Sequence, residues 1–265
     1  MADEAKITVR TLDESGVAIT GGTSGVGLAA AQQFVAAGVR RVVLFGRSAE
    51  RGRFARSAVL EQCPEAQVEF VAVDATDPTE AARAVTEACS LIGSIDVLVN
   101  STPSSALPTL LHEMPIEDMA GVLTQLALPQ LHMTRAALVG MRQQRGGAII
   151  NIASDAGKVA TPGESVIGAA MAAIMMFSRG AAIEAKRDGV RVNVLTPSLI
   201  VGTPTGERIL EGGFSAKLFK KAMTMAHLGL TRPDDLAALI VFLASPAAAR
   251  LTGQAISVNG GISAA

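Results

Sequence analysis

Seven short runs rich in β-branched residues alternate along this chain with longer alanine-rich stretches of helical period, and few architectures satisfy that pattern. The strand-like runs lie at 16–20, 41–45, 67–73, 95–100, 148–153, 190–195 and 255–258. The helical stretches lie at about 27–37, 49–62, 79–91, 116–144, 164–187, 207–225 and 233–244. Strand–helix alternation builds parallel crossovers, so the expected fold is α/β, a seven-stranded parallel sheet with helices on both faces. No composition break, repeat or linker interrupts the pattern. A single doubly wound domain over 1–265 is expected, with 1–13 a loose N-terminal segment or a short extra strand. The least regular stretch, 199–226, sits where a lid over a ligand is expected.

Bulk properties remove several classes of function. Hydrophobic content of 49%, charged content of 18% and a formal net charge of -1 describe an apolar globular chain without a basic or acidic block. Nothing favours nucleic acid or an anionic membrane as a partner. Cys63 and Cys89 lack metal-ligand spacing and read as buried small residues in a reducing compartment. His112, His132 and His227 are scattered, so no metal is expected, and His132 reads as a helix-face residue. The N-terminus has no apolar signal core, and the longest apolar run, 166–177, is too short for a bilayer. The cytoplasm is the expected address.

The first strand ends in Thr20-Gly21-Gly22-Thr23-Ser24-Gly25-Val26-Gly27 before a helix begins. Gly21 permits a tight turn, Gly25 lets backbone approach a phosphate, and Gly27 allows the helix to pack close to the strand. The helix N-terminus then offers unbonded N–H groups and partial positive charge to a pyrophosphate. A tight turn without a ligand is the bland alternative. The position of the loop, between the first strand and first helix of a doubly wound sheet, favours the functional reading.

From about residue 17 to residue 261 the chain resembles the Rossmann-type short-chain dehydrogenase/reductase family. The resemblance is carried by T-G-x-x-x-G-x-G, Asp74 in Val73-Asp74-Ala75-Thr76, Asn100, and Ile150-Asn151-Ile152-Ala153-Ser154. Arg191-Val192-Asn193-Val194, Pro197, Gly253-Gln254 and Val258-Asn259-Gly260-Gly261 add to it. It implies a dinucleotide contacted by Gly21, Ser24, Gly25, Val26, Gly27, Arg47, Asp74, Ala75 and Asn100, with Asp74 and Ala75 against the adenine. The second strand ends in Phe45-Gly46-Arg47-Ser48, without the carboxylate that would bind a ribose 2′-hydroxyl. Arg47 either pairs with a 2′-phosphate, which favours NADP over NAD, or is a solvated surface arginine.

The family's catalytic positions are another matter. Members usually carry asparagine, serine, tyrosine and lysine, the last two as Y-x-x-x-K on one helix face. Ser154 matches the serine. The remaining positions fall at Leu126, Ile167 and Met171, and the chain contains no tyrosine anywhere. Hydrocarbon and a thioether neither titrate near neutrality nor donate a strong hydrogen bond. A positioned acid or base is worth roughly 10² to 10⁴ in rate, so even one such loss leaves a very poor dehydrogenase. Two further departures fall beside the nicotinamide end: Pro103 within Asn100-Ser101-Thr102-Pro103, and Ser198 after Pro197 where glycine is usual. Both are expected to restrict backbone there. Ser154 also reads as a turn or capping serine, and Lys158 and Glu164 as solvated loop charges near the cleft entrance.

The stretch 163–182 is dense in Ala, Gly, Ile and Met, including Met171, Met175 and Met176. It is either a core helix or a helix covered by another subunit, as the family's paired helices usually are. The leading expectation is a catalytically silent subunit, a pseudoenzyme, supporting an active homologue in a hetero-oligomer or pairing with itself. The run 150–157 followed by Gly163-Glu164 is similar to hydroxyacyl-CoA dehydrogenases. One such group pairs catalytic with non-catalytic subunits, the 2-(hydroxy(phenyl)methyl)-succinyl-CoA dehydrogenases, and this chain resembles the non-catalytic partner. Two rivals stand beside it: an NADP-dependent oxidoreductase using Ser154 with a non-standard proton donor, and an NADP-binding sensor without turnover. A chain that binds no dinucleotide at all is the remaining expectation.

Overall fold

The computed structural model describes residues 7–102 and 105–265. Seven strands form one parallel sheet: β1 (Gly16–Thr20), β2 (Arg41–Gly46), β3 (Gln67–Ala72), β4 (Val97–Asn100), β5 (Gly147–Ile152), β6 (Val190–Pro197) and β7 (Ala255–Val258). Their spatial order is β3-β2-β1-β4-β5-β6-β7. β1 and β4 are buried along their whole length. That is why they read as unbroken apolar runs and not as an alternation: helices cover both faces.

On one face α1 (Gly25–Ala36), α2 (Ala49–Leu60) and α8 (Pro233–Ala244) pack a core around Phe34, Val59, Leu236 and Ile240. On the other, α3 (Pro78–Ile92), α4 (Ile116–Gln143) and α5 (Ser165–Ala185) close over Phe45, Leu98, Met133 and Ile149. Helix starts follow capping chemistry. Asp77 accepts from the N–H groups of Thr79 and Glu80 ahead of Pro78, and Ser48 accepts from Arg51 N–H. The chain winds outward from β1 to β3, then crosses back to β4 on the other side of β1. A crevice therefore opens beyond the carboxyl ends of β1 and β4.

Some expectations need correction. The helix expected over 207–225 is two helices, α6 (Pro204–Leu210) and α7 (Gly213–Met223). Gly213 has a φ of 71°, a left-handed conformation that ends one helix and starts the next. The described part of the N-terminal segment, 7–13, forms no strand; Thr8 N–H donates to the Arg145 carbonyl at 2.8 Å. The apolar run judged too short for a bilayer belongs to a helical stretch, Ser165–Asp188, that is long and apolar enough to cross one. It packs on α4 and β6, and 56% of its apolar window is buried inside the protein, the pattern of a core helix. Cys63 is buried, Cys89 half-buried, and both are free thiols.

Candidate functional site

A cleft of about 530 Å³ occupies the crevice, within the range of small-molecule sites. Gly21, Ser24, Gly25 and Val26 line one end of it. Gly21 holds a φ of 72°, and a Cβ there would lie 2.0 Å from the Ser101 carbonyl oxygen. The N–H groups of Gly21 and Gly22 both donate to the Phe45 carbonyl, which folds the loop over β2. Gly27 lies off the cleft wall. Its role is packing: a Cβ would sit 2.3 Å from the Gly21 carbonyl oxygen, so only glycine lets α1 start this close to the strand. Ser24 precedes α1 in an extended conformation without spending its side chain on a cap. The first turn of α1 carries no acidic residue, so its N–H groups and dipole are available to an anion.

Beside the loop, Arg47, Asp74 and Ala75 line the same end, with Thr76. Hydrogen bonds from the Thr76 hydroxyl (2.7 Å) and N–H (3.0 Å) hold the Asp74 carboxyl below the usual carboxylate range, with Arg47 adding to the effect. Arg51, one turn into α2, lines the wall with Arg47. No helical spacing pointed to Arg51, because Arg47 precedes the Ser48 cap of α2 and Arg51 lies inside the helix. His132 sits behind this end, its Nδ1 3.1 Å from the Ala75 carbonyl oxygen.

Asn100 does not line the cleft. It is fully buried and joins a lateral network: it accepts from Thr20 Oγ1 (2.9 Å) and donates to Asn151 Oδ1 (2.8 Å) and Thr134 Oγ1 (3.2 Å). Asn151 in turn donates to Ser178 Oγ at 2.8 Å. These bonds tie β1, β4, β5, α4 and α5 together behind the wall. The wall itself is formed by Ser101 and Thr102.

The opposite end of the cleft is lined by Leu126, Gln130, Ser154, Glu164, Ile167, Met171, Pro197 and Ser198. Leu126, Ile167 and Met171 belong to one apolar cluster with Ala153, Ala170, Ile174 and Val194. Ser154 both faces the cleft and caps the short 3-10 turn that follows, accepting from Ala156 N–H at 3.2 Å. Lys158 does not stand in for the missing lysine. Its ammonium donates to the Ala255 carbonyl, Ser257 Oγ and the Ala265 carbonyl, pinning the C-terminal segment, and it is absent from the cleft wall. Glu164 is not a solvated loop charge. It is half-buried on the cleft wall, and burial pushes its carboxyl up to about 7 against an opposing hydrogen bond from Thr161. Ser198 holds no positive φ, so serine fits this turn without the strain expected of it. Pro103 lies outside the described residues.

A family model described as enoyl-(acyl carrier protein) reductase matches residues 21–263. The chain belongs to the short-chain dehydrogenase/reductase family. Among similar proteins, 2-(S)-hydroxypropyl-CoM dehydrogenase 3 of Xanthobacter autotrophicus is 29% identical over 94% of this chain and 96% of its own length. A 3-oxoacyl-(acyl-carrier-protein) reductase, FabG, of Staphylococcus aureus is 31% identical over 92% and 96%. An NADPH-bound short-chain oxidoreductase of Pseudomonas aeruginosa PAO1, described as containing an atypical catalytic center, superposes with a TM-score of 0.87. It is 28% identical over 96% of this chain and 99% of its own.

The residues of this short-chain dehydrogenase/reductase fit a dinucleotide. The glycine loop leaves backbone space that a Cβ would fill, and two arginines flank the adenosine end. At the far end one buried oxygen, Gln130 Oε1, has no hydrogen-bond partner among the described residues. A nicotinamide would supply or accept hydride when bound. Leu126, Ile167 and Met171 would shed water from it and hold no proton for its substrate. Gln130 escaped the sequence reading, although it lies one helical turn beyond Leu126 on the same face. Among the described residues no cluster of metal-ligating side chains exists; His112 and His227 are exposed.

Proposed function

We propose that this chain is a catalytically silent short-chain dehydrogenase/reductase subunit that holds a dinucleotide, NADP in preference to NAD. On this reading it supports an active homologous subunit, a hydroxyacyl-CoA dehydrogenase, in a cytoplasmic hetero-oligomer. The observation that carries the reading is the apolar cluster of Leu126, Ile167 and Met171, placed where the family's proton-handling groups stand. The preference for NADP rests on Arg47 and Arg51 at the adenosine end. Partnership is supported by α5, whose outer stripe of Ala169, Ala172, Ala173, Met176 and Ile183 is apolar yet exposed. The hydroxyacyl-CoA class rests on the likeness of 150–157 and Gly163-Glu164 alone. Purified by itself, the chain is expected to release heat on titration with NADP, to turn over neither dinucleotide, and to co-purify with an intact short-chain dehydrogenase when the two are co-expressed. Turnover by the isolated chain overturns this reading.

One observation favours the oxidoreductase alternative. Glu164 places a carboxyl that titrates near neutrality on the same wall as Ser154, one turn before Ile167. On that reading Glu164 would be the non-standard proton donor. A rate that follows the ionisation of Glu164 and vanishes in Glu164→Gln decides for it.

A further inference from the structure

Gln130 is 1% exposed, and its two polar atoms have different fates. Nε2 donates to the Ile152 carbonyl at 2.8 Å, which fixes the amide against β5. Oε1 is buried and has no partner among the described residues. A buried acceptor is rarely left this way unless something outside the chain donates to it. Gln130 follows the one proline inside α4. Pro129 supplies no N–H to the Gln125 carbonyl, and Gln125, Leu126, Pro129 and Gln130 all line the cleft. Gln130 thus belongs to the α4 face that lines the cleft.

Topology says what lies above it. The glycine loop follows β1, and the strand order continues β1-β4-β5-β6. A dinucleotide with its pyrophosphate on the α1 N-terminus and its adenosine over Arg47 and Asp74 would send its other nucleoside across β4 and β5 toward Pro197, which ends β6, and Ser198 beyond it. Gln130 lies between these limits. It is bonded to β5 through Ile152 and touches Asn100 of β4, whose Nδ2 is 3.5 Å from the Gln130 carbonyl. The group one step beyond a pyrophosphate is a ribose, and its hydroxyls are hydrogen-bond donors.

Resting on the dinucleotide-binding reading above, we propose that Gln130 Oε1 accepts a hydrogen bond from a hydroxyl of the nicotinamide ribose. The chain thereby anchors the half of the cofactor that faces Leu126, Ile167 and Met171. Gln130 is a binding residue in this account, and catalysis is not required for it to act.

The test compares two ligands by titration calorimetry: NADP, and adenosine 2′,5′-bisphosphate, which carries the adenosine half alone. Gln130→Met should weaken NADP about tenfold, the size of one buried hydrogen bond, and leave the bisphosphate within about twofold. Equal losses for both ligands, or none for NADP, overturn the inference and leave the dinucleotide-binding reading standing. A wild-type chain that binds neither ligand overturns both together. Should Gln130→Met fail to fold, side-chain amide resonances of the wild-type chain give the answer. The Gln130 amide should shift with NADP and stay in place with the bisphosphate; a shift with both, or with neither, contradicts the proposal.

Discussion

At the β1 end of the cleft, the unusual residues are glycines that let the loop and α1 pack closely, and arginines that line the wall. Gly21, Gly25 and Gly27 remove side chains where a Cβ has no room or φ is left-handed, and Arg47 and Arg51 stand beside them. At the β5–β6 end, α4 and α5 present Leu126, Ile167 and Met171. Both ends share one sheet, and the network from Thr20 through Asn100 and Asn151 to Ser178 links them. The contrast separates two requirements that a dehydrogenase normally meets together. Holding a dinucleotide depends mostly on backbone geometry and survives changes of nearby side chains. Moving a proton depends on a few titratable groups and disappears with them.

The largest expected effect breaks the intact end. Gly27→Val drives a branched side chain into the Gly21 carbonyl and should cost about 3 kcal/mol or more in urea unfolding, with NADP binding lost. The next probes the apolar end through Glu164. Its folded pKa, about 7, exceeds the ordinary 4.5, so the native state binds more protons than the unfolded state between those values. Stability contributed by the protonated carboxyl is therefore lost as pH rises from 4.5 through about 7. Glu164→Gln removes the charge and should stabilise the chain above pH 7, by at most about 3 kcal/mol, and far less near pH 5. Unfolding curves at both pH values check the sign. Arg47→Ala sharpens the intact end: NADP affinity should fall about tenfold and NAD affinity hold, read by calorimetry. The smallest expected change comes from Ile167→Tyr with Met171→Lys. Restoring two groups while Leu126 stays should raise turnover less than about tenfold, since members of a catalytic unit act together.

Legibility in the sequence differed between the two ends for the same physical reason. Strand and helix order follows from periodicity, and the glycine loop from the need for absent side chains. Both are local and visible in the chain. The replaced positions were legible only through the resemblance, which sets the family's Y-x-x-x-K pattern against Ile167 and Met171. Lys158 and Glu164 were not, because both lie in connections whose direction depends on tertiary packing. One turned out to clamp the C-terminal segment, and the other to line the cleft. Asn100 differs again: the side chain of a residue at a strand end can face sideways into the sheet's own network. The break between α6 and α7 was available in Gly212-Gly213 but was outweighed by the helical pattern on either side.

The central claim is that this cleft accepts a dinucleotide and withholds the proton. Its most direct test is hydride transfer by the isolated, purified chain saturated with NADPH and offered β-ketoacyl-CoA carbonyls. The account predicts bound NADPH whose near-ultraviolet absorbance stays constant. A decay of that absorbance, dependent on substrate and abolished in Glu164→Gln, would contradict it.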